Sequence, residues 1–180
     1  SFLYSILNIL EPIMPIKEHD IKESIISLNK KKGEIDSNNL STNNISLELA
    51  EWIKSIPIIY YPFGLQAAAI RFKNSMQENA KTHVLFEDVI EACHNGIVAW
   101  ENPSDIQPIL LQGKDDHSKT KDRWNIMKDF FQEKQIEYKE IFSIDGSILT
   151  KLVCLIYSLD MASIYHAAIS NIDPTPVDSI

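Results

Sequence analysis

"IPIIYYPFGLQAAAIRFKNSMQENAKTHVLF", residues 56–86, holds two short apolar runs separated by an alanine-rich segment. β-Branched and aromatic residues predict strands at 56–61 and 82–86, and the alanine-rich segment predicts a helix at about 65–80. Two strands joined by a helix of this length are typical of a βαβ unit, in which both strands run in the same direction. The stretch therefore predicts a parallel sheet.

The rest of the chain continues this alternation of short strands and longer helices. The predicted helices cover 46–54, 87–92, 117–134 and 147–169, and the predicted strands cover 106–112 and 136–142. The alternation predicts an α/β fold, a doubly wound parallel sheet flanked by helices in three flavodoxin-like layers. Ligands of such sheets bind outside the carboxyl ends of the strands, so we expect a site at that edge.

The first quarter of the sequence lacks this alternation. Pro12 and Pro15 break residues 1–28 into two short predicted helices, because proline cannot donate within a helix. Residues 29–44 are rich in Asn, Ser and Lys, which predicts a solvated linker. We therefore divide the chain into 1–44, helices and a linker left from a preceding domain, and 45–180, the α/β domain.

The composition argues against several classes of function. The 180 residues carry a formal net charge of −8 with no basic patch, which argues against nucleic-acid binding. Cys93 and Cys154 are far apart and lack metal-type spacing, as expected of reduced thiols in a cytoplasmic protein. Five glycines leave little room for a phosphate-cradling loop. We expect no metal site.

The apolar segment 147–169 is long enough to raise the question of a membrane span. Lys151, Asp160, Ser163 and His166 interrupt it. Polar and charged residues at these intervals favour a packed helix of a globular domain. We therefore expect no membrane contact.

The predicted helix 65–80 carries the first candidate for chemistry. Arg71, Asn74, Ser75 and Glu78 share one face, because they are spaced by three, four and seven residues. Two interpretations stay open: the stripe is a solvated face with a weak ion pair, or Glu78 is a general base. The opposite side carries small and apolar residues that we expect to pack on the sheet, namely Ala68, Ala69, Phe72 and Met76.

The second candidate is His94, in a predicted turn His94-Asn95-Gly96. A histidine there can act as acid or base near neutral pH, but Asn-Gly is also an ordinary turn dipeptide. Cys93 precedes His94 and invites a thiol-nucleophile hypothesis, although adjacent side chains rarely point at each other. The remaining histidines have no metal-ligand spacing.

Three blocks of the sequence together resemble a known family. They are "RFKNSMQENAK" at 71–81, "IEACHNGIVAWE" at 90–101, and the segment 143–180 that ends in "DPTPVDSI". In this order they resemble the C-terminal half of archaeal and bacterial bifunctional phosphoglucose/phosphomannose isomerases, members of the sugar-isomerase (SIS) superfamily. The resemblance covers about 57–180.

The resemblance implies an SIS-type fold and an aldose–ketose isomerase. Such an enzyme interconverts glucose 6-phosphate or mannose 6-phosphate with fructose 6-phosphate without metal or organic cofactor. Glu78 matches the family's base, which moves a proton between C2 and C1 through an enediolate. His94 matches the histidine that assists ring opening and serves the site of a partner subunit, which implies a homodimer. The resemblance assigns no substrate-binding residue in this chain.

The sequence also departs from the family pattern. Cys93 stands where the family has an asparagine, Gly96 where it has a glutamate, and no proline precedes Glu91. The family's phosphate-binding loops have no match in the chain, and a catalytic lysine would fall beyond Ile180. We therefore expect the chain to be the C-terminal part of a two-domain enzyme.

Two alternative functions stay open, a non-catalytic phosphosugar-binding module and a dimerisation module. The isomerase hypothesis makes a geometric prediction that separates it from both. Glu78 and His94, from one chain or with one of them supplied by a second copy, should line a common sugar-sized hollow at the ligand edge of the sheet.

Overall fold

The computed structural model describes residues 2–14, 16–40 and 43–177, and four parallel strands form the centre of the molecule. The strands are β1 (Pro57–Tyr61), β2 (Leu85–Asp88), β3 (Gln107–Gln112) and β4 (Lys139–Phe142), in the order β2-β1-β3-β4. Ile59 of β1 lies opposite Phe86 of β2 on one side and Ile109 of β3 on the other. The predicted doubly wound α/β class is confirmed.

Helices cover both faces of the sheet. They are α1 (Phe2–Leu10), α2 (Glu18–Ile35), α3 (Ile45–Trp52), α4 (Gln66–Asn79), α5 (Val89–Ala92), α6 (Ser118–Glu133), α7 (Ile148–Ile169) and a 3₁₀ helix (Gly96–Glu101). One core lies between the sheet and α3, α4 and α7, and contains Ile59, Phe72 and Leu159. A second core, around Tyr60 and Trp124, lies between the other face and α5, the 3₁₀ helix and α6. These are the three predicted layers.

Strand β2 begins three residues later than predicted. The residues after α4 form its C-terminal turn, in which the Thr82 amide donates to the Met76 carbonyl at 3.2 Å. β2 is an edge strand, and the side chains of Leu85 and Phe86 are exposed. An edge strand tolerates polar residues such as Glu87 and Asp88, so hydrophobicity alone misplaced it.

The predicted linker 29–44 is partly wrong, because α2 extends to Ile35. Ile35 is completely buried, and its carbonyl accepts from the Tyr165 hydroxyl on α7 at 2.7 Å. At the other end Asn44 is also buried and caps α3, accepting from the amides of Ser46 and Leu47. Ile35 is the one buried residue of the lysine-rich segment 29–35, and a single buried residue gives no periodic signal, which is why composition indicated a linker. Pro15, one of the predicted helix breakers, lies outside the described residues.

Helix α2 also forms hydrogen bonds with the N-terminal residues of α7. The Glu23 carboxylate accepts from the Ser147 amide at 2.9 Å and from the Thr150 hydroxyl at 2.8 Å. These bonds lower the pKa of Glu23, and the first of them satisfies a backbone amide that a helix N-terminus leaves free. The N-terminal helices therefore pack against the α/β domain.

Within the described part of the chain, α7 is long and apolar enough, by length and composition alone, to cross a membrane. In the structure it packs against α2, α3 and α4 as the predicted packed helix. Its polar residues Lys151, Ser163 and His166 are buried, and the His166 Nδ1 atom lies 3.1 Å from the Ala50 carbonyl.

Candidate active site

Glu78 lies on the last turn of α4, and its side chain is exposed. Helix α4 starts after the carboxyl end of β1 and leads into the amino end of β2, so it runs against the direction of the strands. Its last turn is therefore at the amino end of the sheet. The alternation of strands and helices alone fixes this position.

The polar stripe on α4 contacts α7 through Arg71 and Ser75, although Arg71, Asn74 and Glu78 stay exposed to solvent. Arg71 forms a bidentate salt bridge with the Asp160 carboxylate, donating from Nε at 3.0 Å and from Nη2 at 3.1 Å. The Ser75 hydroxyl donates to the same carboxylate at 2.5 Å, and Ser75 is only 2% exposed. The hydrogen bonds to Asp160 raise the pKa of Arg71. The interpretation as a solvated face with an ion pair fits the exposed Arg71, and it is wrong only for Ser75, which is buried.

A second contact fixes the end of α4 beside Glu78. The Asn79 side-chain amide donates to the Ser163 hydroxyl of α7 at 2.8 Å. On the other side of the helix the predicted packing is confirmed, because Ala68, Ala69, Phe72 and Met76 are all fully buried. Helix α4 is thus held on two sides, and Glu78 projects from a fixed support.

His94 lies at the other end of β2. Helix α5 begins directly after the carboxyl end of β2, and the turn after it contains His94, whose amide donates to the Glu91 carbonyl at 2.9 Å. The predicted turn is confirmed, and the His94 side chain is exposed. The segment that carries it consists of one four-residue helix and one 3₁₀ helix.

Gly96, one of the departures from the family pattern, packs against Glu87. A Cβ atom at position 96 would collide with the Glu87 carboxylate, so this side chain fills the space that a residue at 96 would need. Burial raises the pKa of Glu87, and the neighbouring acidic groups of Glu91 and Asp88 raise it further. A carboxyl group is therefore present beside the His94 turn.

Cys93 does not support the thiol-nucleophile hypothesis. Its Sγ atom contacts the Arg123 carbonyl at 3.8 Å, and burial raises the pKa of the thiol. A nucleophilic cysteine needs a lowered pKa. Cys154, the other free cysteine, is buried, and burial raises its pKa to about 11.

The structure does not bring Glu78 and His94 together within one chain. They lie beyond opposite ends of β2, whose four residues span about 10 Å. Glu78 is at the amino end of the sheet and His94 is at the carboxyl end, so the prediction that both line a hollow at the carboxyl edge is wrong. Both side chains are exposed, which leaves each available to a second chain.

A cavity of about 230 Å³ occupies the switch point of the sheet, outside the carboxyl ends of β1 and β3. Its lining includes Phe63, His117 and the buried Lys151, whose ammonium contacts the Asp115 carboxylate. A separate groove of about 250 Å³ adjoins α4 near Glu78 and is lined by Gln77, Lys81, Thr82 and His83. Among residues 2–14, 16–40 and 43–177, no cluster of three His, Cys, Asp or Glu side chains suits a metal ion.

Sequence reasoning from spacing could not find the partners of α4. Asp160 and Ser163 are more than 80 residues from the helix that they contact. In the sequence they are isolated polar residues in an apolar segment, and their spacing does not indicate a partner. Lys81 and Lys151 were also given no role from spacing. The available signal was the third block of the family resemblance, which contains both Asp160 and Ser163.

Comparison with known proteins adds the family. The family described as the bacterial phospho-glucose isomerase C-terminal SIS domain matches residues 42–180. A bifunctional phosphoglucose/phosphomannose isomerase of Caldicellulosiruptor bescii is 31% identical over 99% of this chain and 53% of its own length. One of Aquifex aeolicus is 26% identical over 87% of this chain and 52% of its own length. The chain thus spans about half the length of these relatives.

A solved structure supports the same fold. A glucose-6-phosphate isomerase-like protein of Thermus thermophilus superposes with a TM-score of 0.69 at 15% identity, over 87% of this chain and 52% of that chain. At this identity the likeness concerns the fold alone. Together with the family match over 42–180, it leads to one conclusion: the chain belongs to the bacterial phospho-glucose isomerase C-terminal SIS domain family.

Proposed function

We propose that the chain is the C-terminal domain of an aldose–ketose isomerase that interconverts glucose 6-phosphate or mannose 6-phosphate with fructose 6-phosphate. The family match and the names of the relatives support the isomerase class. The observation that carries the residue assignment is the placement of Glu78 and His94. Both are exposed, and they lie at opposite ends of the same edge strand.

In this proposal Glu78 is the base. Its carboxylate takes the proton from C2 of the open-chain aldose, which leaves an enediolate. The proton of the C2 hydroxyl moves to the C1 oxygen, and Glu78 then returns its proton to C1 to give the ketose. A carbon acid is weak, so the base must be held in position before the substrate arrives. The contacts of α4 with Asp160 and Ser163 supply such a support.

His94 opens the sugar ring in the site of a partner subunit. It donates a proton to the ring oxygen while the anomeric hydroxyl gives its proton to a water molecule, a role suited to imidazole because its ring nitrogens can donate and accept protons. A twofold axis beside β2 would reverse the strand direction, so that His94 of one copy approaches Glu78 of the other, and the reverse. The exposed Leu85 and Phe86 side chains on β2 provide apolar surface for this contact.

A substitution of Glu78 tests the proposal. We expect Glu78→Gln to lower kcat by about 10²- to 10⁴-fold in the intact protein, because the amide cannot accept the C2 proton. The readouts are fructose 6-phosphate formation and the transfer of solvent deuterium into the sugar. Glu133→Gln is the matched control, since Glu133 ends α6 as an exposed residue and should leave both unchanged. Full activity of Glu78→Gln would refute the assignment.

The second candidate is a non-catalytic phosphosugar-binding module. The observation that favours it is the cavity at the switch point, which contains Lys151 but neither Glu78 nor His94. Saturable binding of fructose 6-phosphate by the intact protein without turnover, weakened by Lys151→Met, would support this candidate over the isomerase.

A further inference from the structure

Lys81 adopts a backbone conformation that lysine rarely takes. It follows the end of α4 with φ +53°, in the left-handed region where glycine is the usual residue after a helix. A side chain at such a position is strained unless its contacts compensate. The contacts of the Lys81 ammonium are therefore informative.

The ammonium bridges two segments of the chain. Its Nζ atom donates to the Glu78 carbonyl at 2.5 Å and to the Pro176 carbonyl at 2.7 Å. The first acceptor is the backbone of the proposed base, and the second belongs to the C-terminal segment 173–177, which we call the tail. Bonds from a charged donor are stronger than neutral ones.

A hydrogen bond within the tail restrains its conformation. Asp173 accepts from the Thr175 amide at 2.9 Å, and this bond lowers the pKa of Asp173. The tail follows α7, whose Ser163 accepts from Asn79 beside Glu78. The last turn of α4 is thus linked to one continuous segment twice, through Asn79 to α7 and through Lys81 to the tail.

We infer that Lys81 is a positioning residue, which ties the tail to the last turn of α4 and thereby orients Glu78. As a positioning residue, Lys81 does not touch the reacting atoms. Loss of its ammonium frees the tail and allows the last turn of α4 to shift. The inference rests on the proposed function of Glu78 for its catalytic consequence, but the link itself concerns the structure alone.

Lys81→Gly is the informative variant. Glycine adopts the left-handed conformation without strain, so this change removes the ammonium without harming the end of the helix. If Lys81 only ended the helix, its replacement by glycine would be harmless. If it holds the tail, the amides of Thr175 and Val177 should become mobile, with NMR order parameters falling from about 0.85 to below about 0.6.

In the intact protein we expect Lys81→Gly to lower kcat by roughly 10- to 100-fold with KM within about twofold, because the base is misplaced while binding is kept. Lys81→Arg, which keeps the donors, should restore most of the rate. Gln135→Gly is the matched control. Gln135 follows α6 with φ +57°, so the substitution makes the same backbone change away from the tail, and both readouts should stay as in the wild type.

The outcomes separate this inference from the proposed function. A rigid tail or an unchanged kcat in Lys81→Gly overturns the positioning role, while a loss of activity in Glu78→Gln still supports the base. If the wild-type protein shows no isomerase activity, the proposed function fails. A mobile tail in Lys81→Gly alone would then support the structural link, and a rigid tail would reject it.

Discussion

The two ends of strand β2 differ in how the chain holds them. At the amino end Glu78 stands on a helix that is tied to α7 through Asp160 and Ser163. At the carboxyl end His94 lies in a turn between a four-residue helix and a 3₁₀ helix. If Glu78 and His94 have the proposed roles, the base is positioned by contacts within its own chain, whereas the histidine is exposed on a surface that a second chain could reach.

The largest effect on stability should come from Asp160. We expect Asp160→Ala to lower the free energy of unfolding by about 1–3 kcal/mol, because the buried Ser75 hydroxyl and the Arg71 guanidinium lose their shared acceptor. Urea unfolding at neutral pH measures the change. Asp160→Asn should recover part of it.

The matched control for Asp160 is Asp145. It pairs with Lys114 at 3.2 Å on the surface, and its side chain is 78% exposed. Asp145→Ala should change the free energy of unfolding by less than about 0.5 kcal/mol, as is usual for exposed pairs. Equal effects of the two substitutions would mean that the contact between α4 and α7 is no firmer than an ordinary surface pair.

A smaller effect is expected at the His94 end. Gly96→Ala should lower the free energy of unfolding by less than about 1 kcal/mol. The atoms that a Cβ at position 96 would meet belong to the flexible end of the Glu87 side chain, which can move aside. The displaced carboxyl group moves toward water, and its pKa should fall toward the ordinary value of 4.5. NMR titration of the Glu87 carboxyl carbon measures this shift.

The pH dependence of stability should follow the same change. A raised carboxyl pKa means that folding favours the protonated form, so the wild type loses stability as the pH rises from 4.5 to the raised value. The Gly96→Ala variant should lose less over this range. Gly33→Ala is the control, since Gly33 has open space around it, and it should leave the Glu87 titration unchanged. A Glu87 pKa that stays raised in Gly96→Ala would contradict the packing described here.

Local pattern predicted most of the α/β domain. The strand at 57–61 and the buried side of α4 followed from apolar spacing, which reflects burial directly. The start of β2 and the extension of α2 to Ile35 did not, because an edge strand and a mostly polar helix bury too few residues to leave a period. The spacing of apolar residues indicates burial, whereas the bounds of β2 and α2 depend on tertiary contacts that this spacing does not record.

The family resemblance predicted the residues of the candidate site, and the predicted βαβ order implies the amino end of the sheet for Glu78, although the common site was expected at the carboxyl edge. Family resemblance pointed to Glu78 and His94, but their separation depends on which end of the sheet each helix reaches. Asp160 and Pro176 lie about 80 and 100 residues from the α4 end that they hold, so no local spacing could link them. The topology of the crossover connections supplies the missing information.

Mixing two inactive variants of the intact protein tests the shared site most directly. Glu78→Gln and His94→Gln are each expected to be inactive as pure proteins. After subunit exchange half of the dimers contain one chain of each kind, and each mixed dimer has one site with both groups intact, so we expect about a quarter of wild-type isomerase activity. Failure of the mixture to regain activity, with mixed dimers present, would contradict it.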